Sequence, residues 1–380
     1  MCSLVDHNPL EYGGNDWFVI FDKEVRPQLD VSILHTLQHD SAVCYVSISA
    51  NGEYIATGCN GKAQIFDVQT GEKTVTLQHN SAREGLCYIR SVRFSPDGQY
   101  LATGGEDRLI HIYDIPNNKI NLLTGHEGDI YTLDFTGDGT LLASGSADNT
   151  VRVWDIKKGI CVYELQWTTY VPALRISANG RFLALGSPKG AVTVFDIENS
   201  VVVEFLEGHE DVVYTVAFDP SEYQLLSGSL DKTIKLWELN GLRTMSASER
   251  PSRGVCKTTL KGHEEYVLSV ALSSDGQWIV SGSKDCTVQF WDRKNGQRHF
   301  TLRGHKNSGR SPFPPSSFVV CFLFSLVVFF ILFTQTVDEV LVFSVALGPF
   351  IGGQLLATGG GDCRVRIWKI HRRPCNSAHT

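Results

Sequence analysis

Hydrophobic and polar residues alternate with a period of two over short runs, and the runs are separated by turn residues. Residues 125–155, GHEGDIYTLDFTGDGTLLASGSADNTVRVWD, show the pattern best. Ile130, Thr132 and Asp134 alternate with Tyr131, Leu133 and Phe135, which predicts a half-buried strand. Asp138-Gly139 then supplies a hairpin turn, and Leu141 to Ser146 reads as the next strand. After a second turn at Asp148-Asn149, the β-branched run through Val151, Val153 and Ile156 predicts a third strand. Lys158-Gly159 turns the chain into a fourth, CVYEL. Equivalent hairpin signals recur at Asn51-Gly52, Asp97-Gly98, Asn179-Gly180 and Asp275-Gly276, and no stretch of helical period competes with them.

The four-strand unit repeats. Aligning on an aromatic-acid dipeptide gives Phe66-Asp67, Tyr113-Asp114, Trp154-Asp155, Phe195-Asp196, Trp237-Glu238 and Trp291-Asp292, with Trp368-Lys369 as the seventh. The first five gaps between these marks run from 41 to 54 residues, the period of a propeller blade. One four-stranded sheet cannot bury both faces, whereas seven arranged radially can. The expected fold is therefore all-β, a seven-bladed propeller. Residues 31–37, VSILHTL, read as an outer strand with no inner strands before it. The natural closure has this N-terminal strand complete the last blade. On this basis residues 1–30 form an N-terminal arm, 31–370 the propeller and 371–380 a tail.

Polar residues recur at fixed offsets inside the units. His126, Thr132, Asp148 and Trp154 form one set; His209, Thr215, Asp231 and Trp237 a second; His263, Ser269, Asp285 and Trp291 a third. All three share the spacing +6, +22, +28 from the histidine. His, Ser and Asp in this order suggest a hydrolase triad, but a triad occurs once and faces a cleft. A constellation that returns with every blade is better explained by buried polar groups satisfying one another. Three units depart from the pattern. The second keeps Ser91, Asp107 and Tyr113 but has Gly85 where a histidine is expected. The first has His39 but Tyr45 at the hydroxyl position. The fourth has Trp167, Ala173, Lys189 and Phe195, and is expected to rely on apolar packing.

The seventh unit is interrupted. Ser344 follows His305 by 39 residues rather than 6, a surplus of 33 placed at 309–341. This stretch holds seven of the chain's 20 Phe and an uncharged run of 16 residues, Phe318 to Phe333. The run falls short of the roughly 20 residues a membrane-spanning helix needs, and a single crossing would split one blade across a bilayer. As a surface loop it would be an aggregation liability. Its Phe, Leu, Ser and Pro codons are pyrimidine-rich, so it is read as a translated intron.

Composition narrows the function. The 380-residue chain carries a formal net charge of −7, which argues against a nucleic-acid surface as its main feature. The ten cysteines are scattered, with no CxxC pair and no zinc-type spacing, and read as reduced thiols. The first residues have no basic and apolar leader pattern. No metal, no cofactor and no catalytic residue is expected; Gly104-Gly105 and Gly359-Gly361 are turn glycines with no helix after them.

With Gly-His at 125, 208, 262 and 304 added to these marks, the chain resembles WD40 β-propellers. The segments DVSILHTLQHDSAVCYV, EYIATGCNGKAQIFDV, LCYIRSVRFSPDGQYLATGGEDRLIHIYDI and SGSKDCTVQFWD are similar to the fungal Tup family of transcriptional co-repressors, related in role to Groucho. The likeness runs from about Asp16 to Ile370, the insert apart. It implies a nuclear protein that recruits DNA-binding repressor proteins on the narrower face, with histones or histone-modifying enzymes among its partners. It also implies a TPR-repeat co-repressor partner bound by an N-terminal helical region that this chain lacks, and no direct contact with nucleic acid or membrane.

Residues just before the inner-strand hydroxyl and just before the turn Asp should project to one rim: Tyr131, Tyr214 and Leu268, and Glu106, Ala147, Leu230 and Lys284. The resemblance adds Cys44, Tyr88, Ser91 and Asn307 to this partner-binding set. The alternative is a WD40 scaffold or substrate-recognition subunit of another complex, a ubiquitin ligase or a chromatin assembly. The absence of a helical adaptor segment weighs against it.

Overall fold

The computed structural model describes residues 11–14, 16–79, 87–239, 251, 253–305, 342–350 and 353–373. Within them every regular element is a β-strand. The strands form seven antiparallel sheets, six of four strands and one of six, arranged as the blades of a propeller. Blade 3 is typical: Ile130–Phe135, Leu141–Ser146, Thr150–Asp155 and Ile160–Gln166 run from the axis outwards. Burial follows position. Leu142 to Ser146 are all buried because neighbouring blades cover both faces, whereas Ile160–Gln166 alternates between exposed and half-buried. The clusters between blades are continuous; one joins Ile110 and Ile112 of blade 2 to Leu133, Leu142 and Trp154 of blade 3.

The hairpin turns use one local device. In blade 3 Thr136 Oγ1 donates to Asp138 Oδ1 at 2.6 Å, and the same oxygen accepts Thr140 N–H at 3.0 Å. This turn puts Gly139 at φ +69°, a conformation that costs glycine little. Ser49 with Asn51, Ser95 with Asp97, Ser177 with Asn179 and Ser273 with Asp275 repeat it. A different glycine serves close packing: a Cβ on Gly145 would lie 2.8 Å from Val171 Cγ1 and 2.9 Å from Thr132 Cγ2.

The ring closes as the sequence predicts. Leu29–Gln38 pairs antiparallel with Arg364–Arg372, from Leu29 opposite Arg372 to Gln38 opposite Arg364, and is the fourth strand of blade 7. The described residues before it also pack on the ring. Glu11–Gly13 and Phe18–Phe21 form a hairpin whose second strand pairs with Arg298–Arg303, so blade 6 has six strands. Trp17 stands edge-on to Trp368 of blade 7 at 5.4 Å, and Asp16 accepts from Arg366 Nη2 at 2.8 Å. The hairpin thus fastens blade 6 to blade 7. Across the lumen, Arg175 Nη2 of blade 4 donates to Tyr45 Oη of blade 1 at 3.3 Å.

Blade 7 forms from both sides of the interruption. Val342–Phe350 is its inner strand and Gly353–Gly360 the next. Residues 309–341, Asn307 and Gly85 lie outside the described residues.

Candidate functional site

The repeated polar set is a buried relay, but its hydroxyl is not the expected one. Asp148 is a carboxylate and only accepts, so His126 Nδ1–H donates to Asp148 Oδ2 at 2.8 Å. His126 Nε2 then faces Ser144 Oγ at 2.7 Å, and Trp154 Nε1–H donates to the same oxygen at 2.9 Å. The equivalent sets are His209, Asp231, Ser227 and Trp237, then His263, Asp285, Ser281 and Trp291. The hydroxyl therefore stands at +18, in the second strand, and not at +6.

Thr132, Thr215 and Ser269 do another job. Each is at the bulge of the inner strand and reaches the next blade. Thr132 Oγ1 donates to Leu174 O at 3.3 Å, Thr215 Oγ1 accepts Val270 N–H at 3.3 Å, and Ser269 Oγ accepts Val345 N–H at 3.2 Å. Ser344 and Ser91 act likewise towards Val46 and Leu133. These hydroxyls stitch blades together.

Two blades keep more of the relay than their sequences suggested. In blade 2 the histidine is His79, not the Gly85 position: it lies 2.8 Å from both Asp107 Oδ2 and Thr103 Oγ1. In blade 7 His305 meets Asp362 and Thr358, and Trp368 Nε1–H donates to Thr358 Oγ1 at 3.1 Å. The separation from His305 to Asp362 is 57 against 22 in blade 3. Of that 35-residue excess, 33 precede Ser344 and two lengthen the hairpin between Ser344 and Thr358. Blade 1 retains His39 with Thr57 Oγ1 at 3.0 Å, and Phe66 replaces the indole. Blade 4 has no relay: Leu185 stands at the hydroxyl position, buried with Phe195, Leu183 and Val171, while Lys189 is exposed.

Burial works to raise the carboxyls of Asp148 and Asp231, but hydrogen bonds from His126 and Thr150, and from His209 and Thr233, hold them well below the usual range. Asp285 is lowered in the same way by His263 and Thr287. These groups are spent on one another inside the blade and face no cleft.

The inner-strand bulges create a surface. Register shifts fall at Arg90, Tyr131, Tyr214 and Leu268, the residues preceding Ser91, Thr132, Thr215 and Ser269. A bulge re-aims a side chain out of the ladder. Tyr214 is 43% exposed, and Tyr131 packs edge-on to Tyr170 with ring centres 6.1 Å apart. Arg90 donates from Nε and Nη2 to Glu106 Oε1, while Glu106 Oε2 accepts Tyr88 N–H at 3.1 Å. Cys44, Glu106 and Tyr214, from three different blades, lie within electrostatic reach of Arg90. Burial pushes the Cys44 thiol up to about 11, so it is a neutral thiol at this mouth. Lys284 Nζ caps the Tyr266 ring at 5.4 Å.

The structure therefore brings Cys44, Glu106, Tyr131 and Tyr214 together. It adds Arg90, which precedes Ser91 and so obeys the offset rule, and Tyr170, which that rule does not cover; Tyr266 lies under Lys284. Arg90 was legible as the bulge position of blade 2. Tyr170 and Tyr266 were legible as aromatics three residues past Trp167 and His263, in the loop before the inner strand. Four proposed contacts need correction. Ser91 is fully buried and its hydroxyl is committed to Leu133 N–H, while Tyr88 and Leu268 are 6% and 9% exposed. Leu230 is similarly buried at 7%, and Ala147 is half-buried.

A family model described as "WD domain, G-beta repeat" matches residues 31–67, 71–114, 117–155, 200–238, 254–292 and 338–369. The chain belongs to the WD40-repeat family. The first three strands of the relay-free blade 4, residues 173–196, fall in the gap between the third and fourth matches. This WD40 chain is 46% identical over 365 residues to the transcriptional repressor rco-1 of Neurospora crassa, and 43% identical over 422 aligned positions to the general transcriptional corepressor TUP1 of Saccharomyces cerevisiae. Each alignment covers 94% of this chain and 55% of the relative. The chain thus spans about half the length of these relatives. The protein groucho of Drosophila melanogaster is 26% identical over 299 residues, covering 70% of this chain and 35% of that protein.

Proposed function

We propose that the chain is the propeller of a nuclear transcriptional co-repressor, a non-catalytic platform that binds DNA-binding repressor proteins at the bulge-built mouth. One observation carries this: inner-strand bulges of separate blades aim Tyr131, Tyr214 and Arg90 at a single opening, where Tyr170, Glu106 and Cys44 join them. Exposed aromatics beside a charge pair are the composition of a binding hot spot. The names of the similar proteins, a transcriptional repressor and a transcriptional corepressor, support a role in transcriptional repression. Histones or histone-modifying enzymes and a TPR-repeat co-repressor partner belong to the same proposal.

The test is binding of a repressor's docking segment to the purified chain. Tyr131→Ala and Tyr214→Ala should each weaken binding by about 30-fold or more, the scale of a hot-spot residue, with an unchanged unfolding midpoint. Unaltered affinity in both would refute the site. A tagged chain recovered from nuclear extract with ligase subunits, and without repressors or histone-modifying enzymes, would support the alternative of a substrate-recognition subunit.

A further inference from the structure

Blade 2 departs from the relay in a way that no other blade does. Its indole is replaced by Tyr113, whose hydroxyl turns away to Asn118 Oδ1 at 2.8 Å. Beside His79 stands a second imidazole, His111, stacked on it with ring centres 3.7 Å apart and planes 25° from parallel. The corresponding strand position is Gln64 in blade 1, Arg152 in blade 3, Thr193 in blade 4, Lys235 in blade 5, Gln289 in blade 6 and Arg366 in blade 7. His79 Nδ1 and His111 Nε2 each lie 2.8 Å from Asp107 Oδ2, and all three atoms are within 4.8 Å of one another.

We propose that His79, Asp107 and His111 form a binding site for one zinc ion. Two imidazoles and a carboxylate are a zinc donor set, with a water as fourth ligand. Magnesium and calcium call for oxygen donors, which this site does not offer in number. Donors about 2.0–2.1 Å from a tetrahedral zinc are roughly 3.3 Å apart, so binding requires the 2.8 Å contacts to widen by about 0.5 Å and the two stacked imidazoles to rotate apart until each presents its nitrogen to the ion in its ring plane.

The supporting shell is present. Asp107 Oδ1 accepts Leu109 N–H at 3.2 Å, which fixes the carboxylate and leaves Oδ2 for the ion. Thr103 Oγ1 lies 2.8 Å from His79 Nε2. On coordination both imidazoles present a bare nitrogen: the His79 proton moves from Nδ1 to Nε2, from where the N–H donates a hydrogen bond to Thr103 Oγ1, and the His111 proton moves from Nε2 to Nδ1. The His111 side chain is 11% exposed and gives the ion its access.

The experiment uses the full chain, freed of any affinity tag, dialysed against zinc and then against buffer. Metal content is measured by mass spectrometry, and zinc-edge X-ray absorption reads the ligands. The expected result is one zinc per chain, with nitrogen and oxygen neighbours near 2.0–2.1 Å and no sulfur. His111→Gln introduces the residue that blades 1 and 6 carry at this position, so the blade should fold; it should abolish retention of zinc. Thr103→Ala should weaken affinity by about 10–100-fold. His35→Gln, at a half-buried histidine outside the site, should change nothing. Absence of stoichiometric zinc, equal retention by His111→Gln, or a sulfur shell from the cysteines would each overturn the proposal.

Discussion

At the scale of residues, two hydroxyls recur in blades 2, 3, 5, 6 and 7, and only one of each pair belongs to the relay. Ser144 serves both His126 and Trp154, so Ser144→Ala strands an imidazole nitrogen and an indole N–H in a fully buried place. It should cost about 2–4 kcal/mol. Thr132→Val removes a single 3.3 Å inter-blade bond and keeps the packing volume, so about 1 kcal/mol is expected. Denaturant unfolding of the two variants checks the order; a larger loss for Thr132→Val would return that residue to the relay. Spacing alone could not separate the two, because positions +6 and +18 both repeat with the blade. What separates them is strand geometry: the inner-strand hydroxyl reaches across to the next blade, while the second-strand hydroxyl points along its own sheet to the histidine. The His, Asp and Trp of blades 3, 5 and 6 were legible because their offsets are constant. His79 was not, since counting back six residues from Ser91 presumes a fixed loop length. The repeated Leu-Gln-His at 37–39 and 77–79 was the available signal.

At the scale of elements, blade 4 shows what replaces a relay. Trp167, Leu185 and Phe195 fill its place with apolar volume, and Lys189 sits exposed where blades 2, 3, 5, 6 and 7 have an Asp bound to the relay histidine. Lys189→Ala should change stability by no more than about 0.5 kcal/mol. Leu185→Ala should cost about 2–5 kcal/mol, because adjoining blades leave little freedom to collapse the cavity. Thermal unfolding of both variants tests this; a large loss for Lys189→Ala would give that side chain a role the structure does not show. The strands of each blade were legible from period-two alternation and turn pairs. The added strands of blade 6 were not, since Phe18-Val19-Ile20-Phe21 is a short apolar run without alternation, and its pairing to Arg298–Arg303 is a contact between remote segments.

At the scale of the whole molecule, closing a ring of seven sheets buries histidines that the chain cannot afford to charge. Burial pushes His39 down from 6.5 to about 4, and His299, packed among Phe21, Trp278 and Phe300, is likewise lowered to about 4. A histidine lowered on folding is protonated first in the unfolded chain. Its stabilising contribution is therefore complete above pH 6.5 and is lost as pH falls from 6.5 to 4. For His39 the interval corresponds to about 3 kcal/mol. The relay carboxylates act in a separate window. Asp148, Asp231 and Asp285 are held below their unfolded value of 3.8, so their contribution is intact through the histidine range and is lost only as pH falls below 3.8. Acid destabilisation should thus come in two stages. Unfolding free energies measured at intervals from pH 7.5 to 4.5 should be level above pH 7 and fall steadily below 6.5. His39→Gln should be less stable at pH 7.5 but show a shallower decline, since one of the histidines lowered on folding is gone. A wild-type profile that stays flat between pH 6.5 and 4.5 would show that these histidines accept protons in the folded ring as readily as in the unfolded chain.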